Sequence, residues 1–150
     1  MYASGIDAYR KTEILTDDPG KIVIMCYEAA ISNLRMVKEY YTQKAYEEKG
    51  KKLQKALEII HSLREALDFE KGGEVAINLD SLYDYMTRRL VQGDLRKDIS
   101  AFDEVIGMLS ELLSAWKDIF YDQLKKTGGD IPVRTAGKRN AESILREVRA

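Results

Sequence analysis

The sequence predicts an all-α protein, an antiparallel up-down four-helix bundle with an N-terminal arm and a flexible C-terminal tail. Three observations predict it. Apolar residues recur at steps of three and four in four separate stretches, the spacing that places them along one face of a helix. Glycine, proline or a capping acid stands between those stretches. No stretch alternates with period two, as a half-buried strand would. Four such helices on short connections bury their stripes most simply as an up-down bundle. The expected division is an arm or lid over 1–18, the bundle over 19–126 and the tail over 127–150.

Helix α1 is expected from Pro19 to about Thr42. Asp18 suits the N-cap, and Pro19 then takes the first helical position, where its missing N–H costs nothing. Ile22, Met25, Cys26, Ala29, Asn33, Met36, Val37 and Tyr40 trace its inner face. Its first two turns, Ile22-Val23-Ile24-Met25-Cys26-Tyr27, are apolar around nearly the whole circumference. One neighbouring helix cannot cover such a surface, so the arm, a partner or both are needed. In the arm, Ile14 and Leu15 precede the helix start, where apolar residues staple onto a first turn.

Helix α2 begins either near Lys44 or after Gly50 and shows a stripe of Leu53, Ala56, Leu57, Ile60, Leu63 and Leu67. Phe69-Glu70-Lys71-Gly72-Gly73 is expected to end it, the glycines being free to take positive φ. Helix α3 then runs from Gly73 to about Gln92, with Gly93 as its stop. Val75, Leu79, Leu82, Met86 and Leu90 form its stripe, Tyr83 sits at the border, and Ile77 and Tyr85 fall off it. Large apolar groups off the stripe gain little unless something covers them. Helix α4 opens at Asp98 or a neighbour and carries the strongest periodicity, from Ile99 through Phe102, Leu109 and Trp116 to Phe120. The tail has room for a short helix at about 140–148, too short and polar to stand alone.

Composition narrows the function. Of 150 residues, 45% are hydrophobic and 33% charged, with a net charge of −1. That balance lacks the basic excess of a nucleic-acid binder. The longest apolar run, Ile22–Tyr27, falls far short of the ~20 residues that span a bilayer. No signal peptide is expected from Met1–Asp7, which has no basic segment followed by an apolar one. The lone Cys26 cannot form an internal disulfide and fits a reducing compartment. A cytoplasmic protein is expected, with no membrane or nucleic-acid partner.

Chemistry finds little support. A di-iron bundle needs two Glu-x-x-His pairs; Glu58-x-x-His61 supplies one, and His61 is the only histidine. Cys26 has no histidine nearby in sequence and no glycine-framed serine elbow occurs. Gly72-Gly73 precedes a helix, yet Glu74 would repel an anion there. Asp80 and Asp84 read as a solvated face, and Arg88-Arg89 suits a helix C-terminus. No catalytic residue, metal or cofactor is expected. A binding surface fares better: Ile77, Tyr83 and Tyr85 on α3 and the apolar start of α1. Aromatics with a polar tip suit surfaces that are alternately wet and covered. Bundle packing or a homodimer interface would absorb the same residues.

The motifs point further. Tyr9, Glu13-Ile14-Leu15-Thr16 and Pro19-Gly20-Lys21-Ile22-Val23-Ile24-Met25-Cys26-Tyr27-Glu28-Ala29-Ala30-Ile31 resemble the opening of the FliS-type flagellar secretion chaperones. Gly72-Gly73-Glu74, then Asn78-Leu79-x-x-Leu82-Tyr83-x-Tyr85-Met86-x-x-Arg89-Leu90, resembles that family's third helix, and Ala115-Trp116-Lys117 a segment late in its fourth. The resemblance implies a helical bundle that binds the C-terminal segment of new flagellin in the cytoplasm. It implies that this prevents early polymerisation and aids delivery to the flagellar type III export gate. It also implies an arm that folds over an apolar pocket, giving Tyr9, Ile14 and Leu15 a lid role. The candidate partner-binding residues are therefore Tyr9, Ile14, Leu15, Ile22, Met25, Tyr27, Ile77, Tyr83, Tyr85 and Met86. Departures are Asp17-Asp18 where the family has small residues, Glu28 for its aspartate, and the tail after about Thr127. The alternative is an adaptor or homodimerising structural bundle with no flagellin client.

Overall fold

The computed structural model describes residues 19–125, and the side chains of 20–122. Four helices follow in order, α1 (Pro19–Thr42), α2 (Tyr46–Glu65), α3 (Phe69–Arg96) and α4 (Ile99–Lys125), with no strand among the described residues. The expected arm and tail, with Tyr9, Ile14 and Leu15, lie outside them. Around the bundle α1 packs between α2 and α4, and α3 between α4 and α2. Lys38, late in α1, pairs with Asp103, early in α4. Trp116, late in α4, meets Tyr27, early in α1. Those pairings require antiparallel helices, as an up-down bundle has.

Local chemistry sets most of the ends. Asp68 caps α3, its carboxylate accepting from the amides of Glu70 and Lys71 at 3.0 Å each. Asp98, just ahead of α4, accepts from the Ser100 amide at 3.1 Å. Of the two starts open for α2, the structure takes the earlier. Lys44, with φ at 58°, makes the reversal, and the Tyr41 and Tyr46 rings meet edge to face at 6.1 Å across it. Gly50 is simply carried inside the helix.

Two glycines depart from expectation. Gly93 does not stop α3, which runs on to Arg96 and turns at Lys97 in the left-handed region. The Asp98 amide reaches back to the Gly93 carbonyl at 2.8 Å and the Lys97 amide to that of Asp94 at 3.3 Å, the paired bonds of a Schellman ending. Gly93 itself is a contact point: a Cβ there would lie 2.4 Å from the Ala101 Cβ. The segment Phe69–Gly73 is not a loop ending α2. It begins α3, and Gly73 kinks that helix with φ 51° and ψ −125°.

The core is continuous through all four helices. On α1 its deepest line is Val23, Tyr27, Ala30, Leu34 and Val37, while Met25, Ala29 and Met36 are only half-buried. The expected inner face was thus turned by about one residue, ~100° of helix, because α1 is covered from two sides. On α3 the buried line is Ala76, Leu79, Tyr83, Met86 and Leu90. Val75, expected in the stripe, is 56% exposed, and Leu82 is half-buried.

Candidate partner-binding groove

Helices α3 and α4 share a seam whose two ends differ. At the end formed by the start of α3 and the last turns of α4, the seam opens into a groove of about 320 Å³. Its lining comes from Val75 and Leu79 on one side and Leu112, Ala115, Trp116 and Ile119 on the other, with Lys71 and Gly72 at its end. Leu79 and Trp116 form a buried floor, while Val75 and Ile119 are exposed walls. Burying such apolar area is worth about 25 cal/mol per Å² to whatever covers it. The kink at Gly73 lies just beyond Gly72, so the first turn of α3 is turned relative to the rest where the groove ends.

Beneath the floor lies a polar trio. The Trp116 indole N–H donates to the Tyr27 hydroxyl at 3.1 Å, and the Tyr27 and Tyr83 hydroxyls share a hydrogen bond. The Tyr27 ring centroid lies 6.4 Å from that of Tyr83 and 6.5 Å from that of Trp116. Burial pushes Tyr27 up to about 12, against the pull of its hydrogen bonds to Tyr83 and Trp116. Burial, then the neighbouring Tyr27, raises Tyr83 as well. Both hydroxyls stay neutral at physiological pH, as a dry floor requires.

The other end of the seam is closed by polar contacts. Tyr85 donates to Glu104 at 2.6 Å, and this bond raises its pKa. Arg89 reaches Glu104 at 3.2 Å and Asp98 at 3.5 Å. On the opposite flank, Arg64 of α2 bridges Asp80 at 2.6 Å and Asp84 at 3.2 Å. The two aspartates expected on a solvated face thus tie α3 to α2.

The candidates from sequence separate accordingly. Ile22, Tyr27, Tyr83 and Met86 are core residues. Tyr83 in particular is not a surface group: Leu79, Met86 and Leu90 are buried as expected, but Ala76 and Tyr83 take the inward places expected of Val75 and Leu82. Met25 is half-buried. Tyr85 is exposed at the closed end of the seam, and Ile77 is exposed outside the groove. Being two positions from both Val75 and Leu79, Ile77 sits on the far side of the helix. Val75, Leu112, Ala115 and Ile119 were missed as site residues. The adjacent apolar pairs of α4, Leu112-Leu113 and Ile119-Phe120, were the available signal, since a doubled stripe offers a second face to cover.

His61 is exposed on α2, 3.0 Å from Glu65. Among the described residues no group of three or more His, Cys, Asp or Glu is placed to hold a metal ion, and no helix is long and apolar enough to cross a membrane.

Likeness to known proteins covers the same stretch. The family described as Flagellar protein FliS matches residues 2–123. The chain belongs to the FliS family. It is 43% identical over 125 residues to the flagellar secretion chaperone FliS of Salmonella typhimurium, a match covering 79% of this chain and 93% of that protein. The FliS chaperone of Vibrio cholerae is 39% identical, over 76% of this chain and 87% of its own. That of Bacillus subtilis is 30% identical, over 81% and 90%. Membership in FliS places the chain among flagellar export chaperones. The groove, lined by residues 71–119, lies wholly inside the matched region.

Proposed function

We propose that this FliS protein takes the C-terminal segment of flagellin into the α3–α4 groove, keeps it from polymerising early, and brings it to the flagellar type III export gate from the cytosol. The observation that carries this reading is an open apolar groove, with exposed Val75 and Ile119 over a buried floor, on a member of a chaperone family. An amphipathic segment that folds as it docks needs such a groove, and coupled folding of this kind buries ~1,000–3,000 Å². That area exceeds the groove, so the guest continues over further apolar surface, for which Tyr85 and Ile77 are the proposed contacts. Residues 1–15, with Tyr9, Ile14 and Leu15, act as the lid that a guest displaces.

Calorimetric titration with a flagellin C-terminal peptide tests the reading. Ile119→Asp is expected to lower affinity at least tenfold while far-UV helicity is kept; parental affinity in that variant overturns the groove assignment. Deleting residues 1–15 is expected to tighten peptide binding or raise self-association by sedimentation, and no change in either removes the lid.

A further inference from the structure

We infer that Tyr27 and Tyr83 are positioning residues for the guest, acting through Trp116, which they hold as a fixed floor of the groove; this rests on the proposed occupation of that groove by a flagellin segment. The three residues come from three helices, α1, α3 and α4. Helices α1 and α3 are not neighbours around the bundle, so the Tyr27–Tyr83 hydroxyl pair spans its diagonal. Packing alone does not call for these hydroxyls. Two phenylalanines would fill nearly the same volume, and a satisfied buried polar network gives little net stability over an apolar one. What the network supplies is direction. An indole has a single donor, and at 3.1 Å from Tyr27 Oη that donor fixes which edge of the ring points inward. The rest of the ring is then presented to the groove beside Leu79.

Without the Tyr27 hydroxyl the indole N–H is left buried and unpaired. The ring then turns towards the groove to reach water, filling the space a guest side chain would take. Tyr83 acts one step further away, because its loss leaves the indole its acceptor. All buried side-chain polar atoms among the described residues are partnered, so losing the Tyr27 oxygen unpairs both the indole N–H and the Tyr83 hydroxyl that it joins.

Trp116 is the chain's one tryptophan, so intrinsic fluorescence reports this site directly. Tyr27→Phe is expected to shift the emission to the red, raise acrylamide quenching and weaken a flagellin C-terminal peptide about tenfold. Tyr83→Phe is expected to weaken it about twofold to threefold with little spectral change. In a Trp116→Phe background, Tyr27→Phe is expected to have no further effect on affinity, since the group it positions is gone; an undiminished effect there overturns the inference. Parental affinity in both tyrosine variants, with Ile119→Asp still impaired, leaves the groove in place and overturns the positioning role. Parental affinity in Ile119→Asp as well overturns the groove reading and this inference together. Should Tyr27→Phe fail to fold, Tyr83→Phe carries the test alone, and parental affinity in it overturns the role of Tyr83 as stated.

Discussion

The two ends of the α3–α4 seam are made from the same two helices and end up opposite in character. At the closed end α3 and α4 leave no room for a Cβ at Gly93. Gly93 sits against Ala101, and Tyr85 and Arg89 reach across to Glu104. At the open end the facing side chains, Val75 and Leu79 against Leu112, Ala115, Trp116 and Ile119, are apolar, and the gap is about 320 Å³. The difference teaches that polar bridges close a seam by satisfying themselves within the chain, whereas apolar walls leave a gap, the one that the proposed function assigns to a guest.

The largest expected break at the open end comes from alkali. Tyr27 is raised to about 12 from its ordinary 10.0. A group whose folded pKa is raised contributes its stability in full below the unfolded value and loses it as pH climbs through the folded one. Stability should therefore be level up to about pH 10 and fall between 10 and 12. The slope is about 1.4 kcal/mol per pH unit for this group. Urea unfolding followed by Trp116 emission across that range measures it, and Tyr27→Phe should flatten the slope.

At the closed end Gly93→Ala comes next. The new Cβ meets the Ala101 Cβ at 2.4 Å, and overpacking of this kind costs about 1–3 kcal/mol. The thermal midpoint should fall accordingly, and Ala101→Gly in the same chain should restore part of it by clearing the facing atom. Gly73→Ala is expected to cost a comparable ~1–3 kcal/mol, through the backbone alone, because φ 51° with ψ −125° favours glycine while nothing lies within 4 Å of the added carbon. Its second consequence is at the groove. Straightening the kink moves Lys71 and Gly72 away from the groove's end, so peptide affinity should drop with stability, which Gly93→Ala at the distant end should not cause.

Most of the fold was legible because four stripes at helical spacing admit few arrangements. The groove was legible only in outline. Val75 and Ile119 fit their helices' stripes, but periodicity gives the phase of a stripe and not what faces it, and one residue of rotation is ~100°. Tyr83 lies at the border of its stripe, where a smaller rotation decides between core and surface. The first turns of α1 had no readable phase, being apolar all round. Gly93 shows a different limit: a glycine that ends a helix and one that lets two helices touch look alike until the second helix is in place. The Tyr27–Trp116 bond joins residues 89 positions apart, a pairing no local pattern encodes.

The smallest expected effect separates the ends by charge. Arg89→Ala removes the ion pairs to Glu104 and Asp98 and leaves Tyr85 on Glu104; the paired groups are partly solvated, where ion pairs contribute little and salt screens them. The unfolding midpoint should drop less than in either glycine variant, and ~1 M salt should erase the difference. Acid should find the same end. Asp98 is held below its ordinary 3.8 first by the Ser100 hydroxyl, then by the Ser100 amide and Arg89. A depressed carboxyl contributes its stability above the unfolded value and loses it as pH falls through the folded one. Below about pH 3.8 the Asp98 cap and its bridge should therefore weaken while the Tyr27–Tyr83–Trp116 floor, neutral throughout, is untouched. Hydrogen exchange should show early loss of protection at the α3–α4 turn in acid, with Trp116 emission unchanged. If Trp116 responds first, the two ends are not separately held.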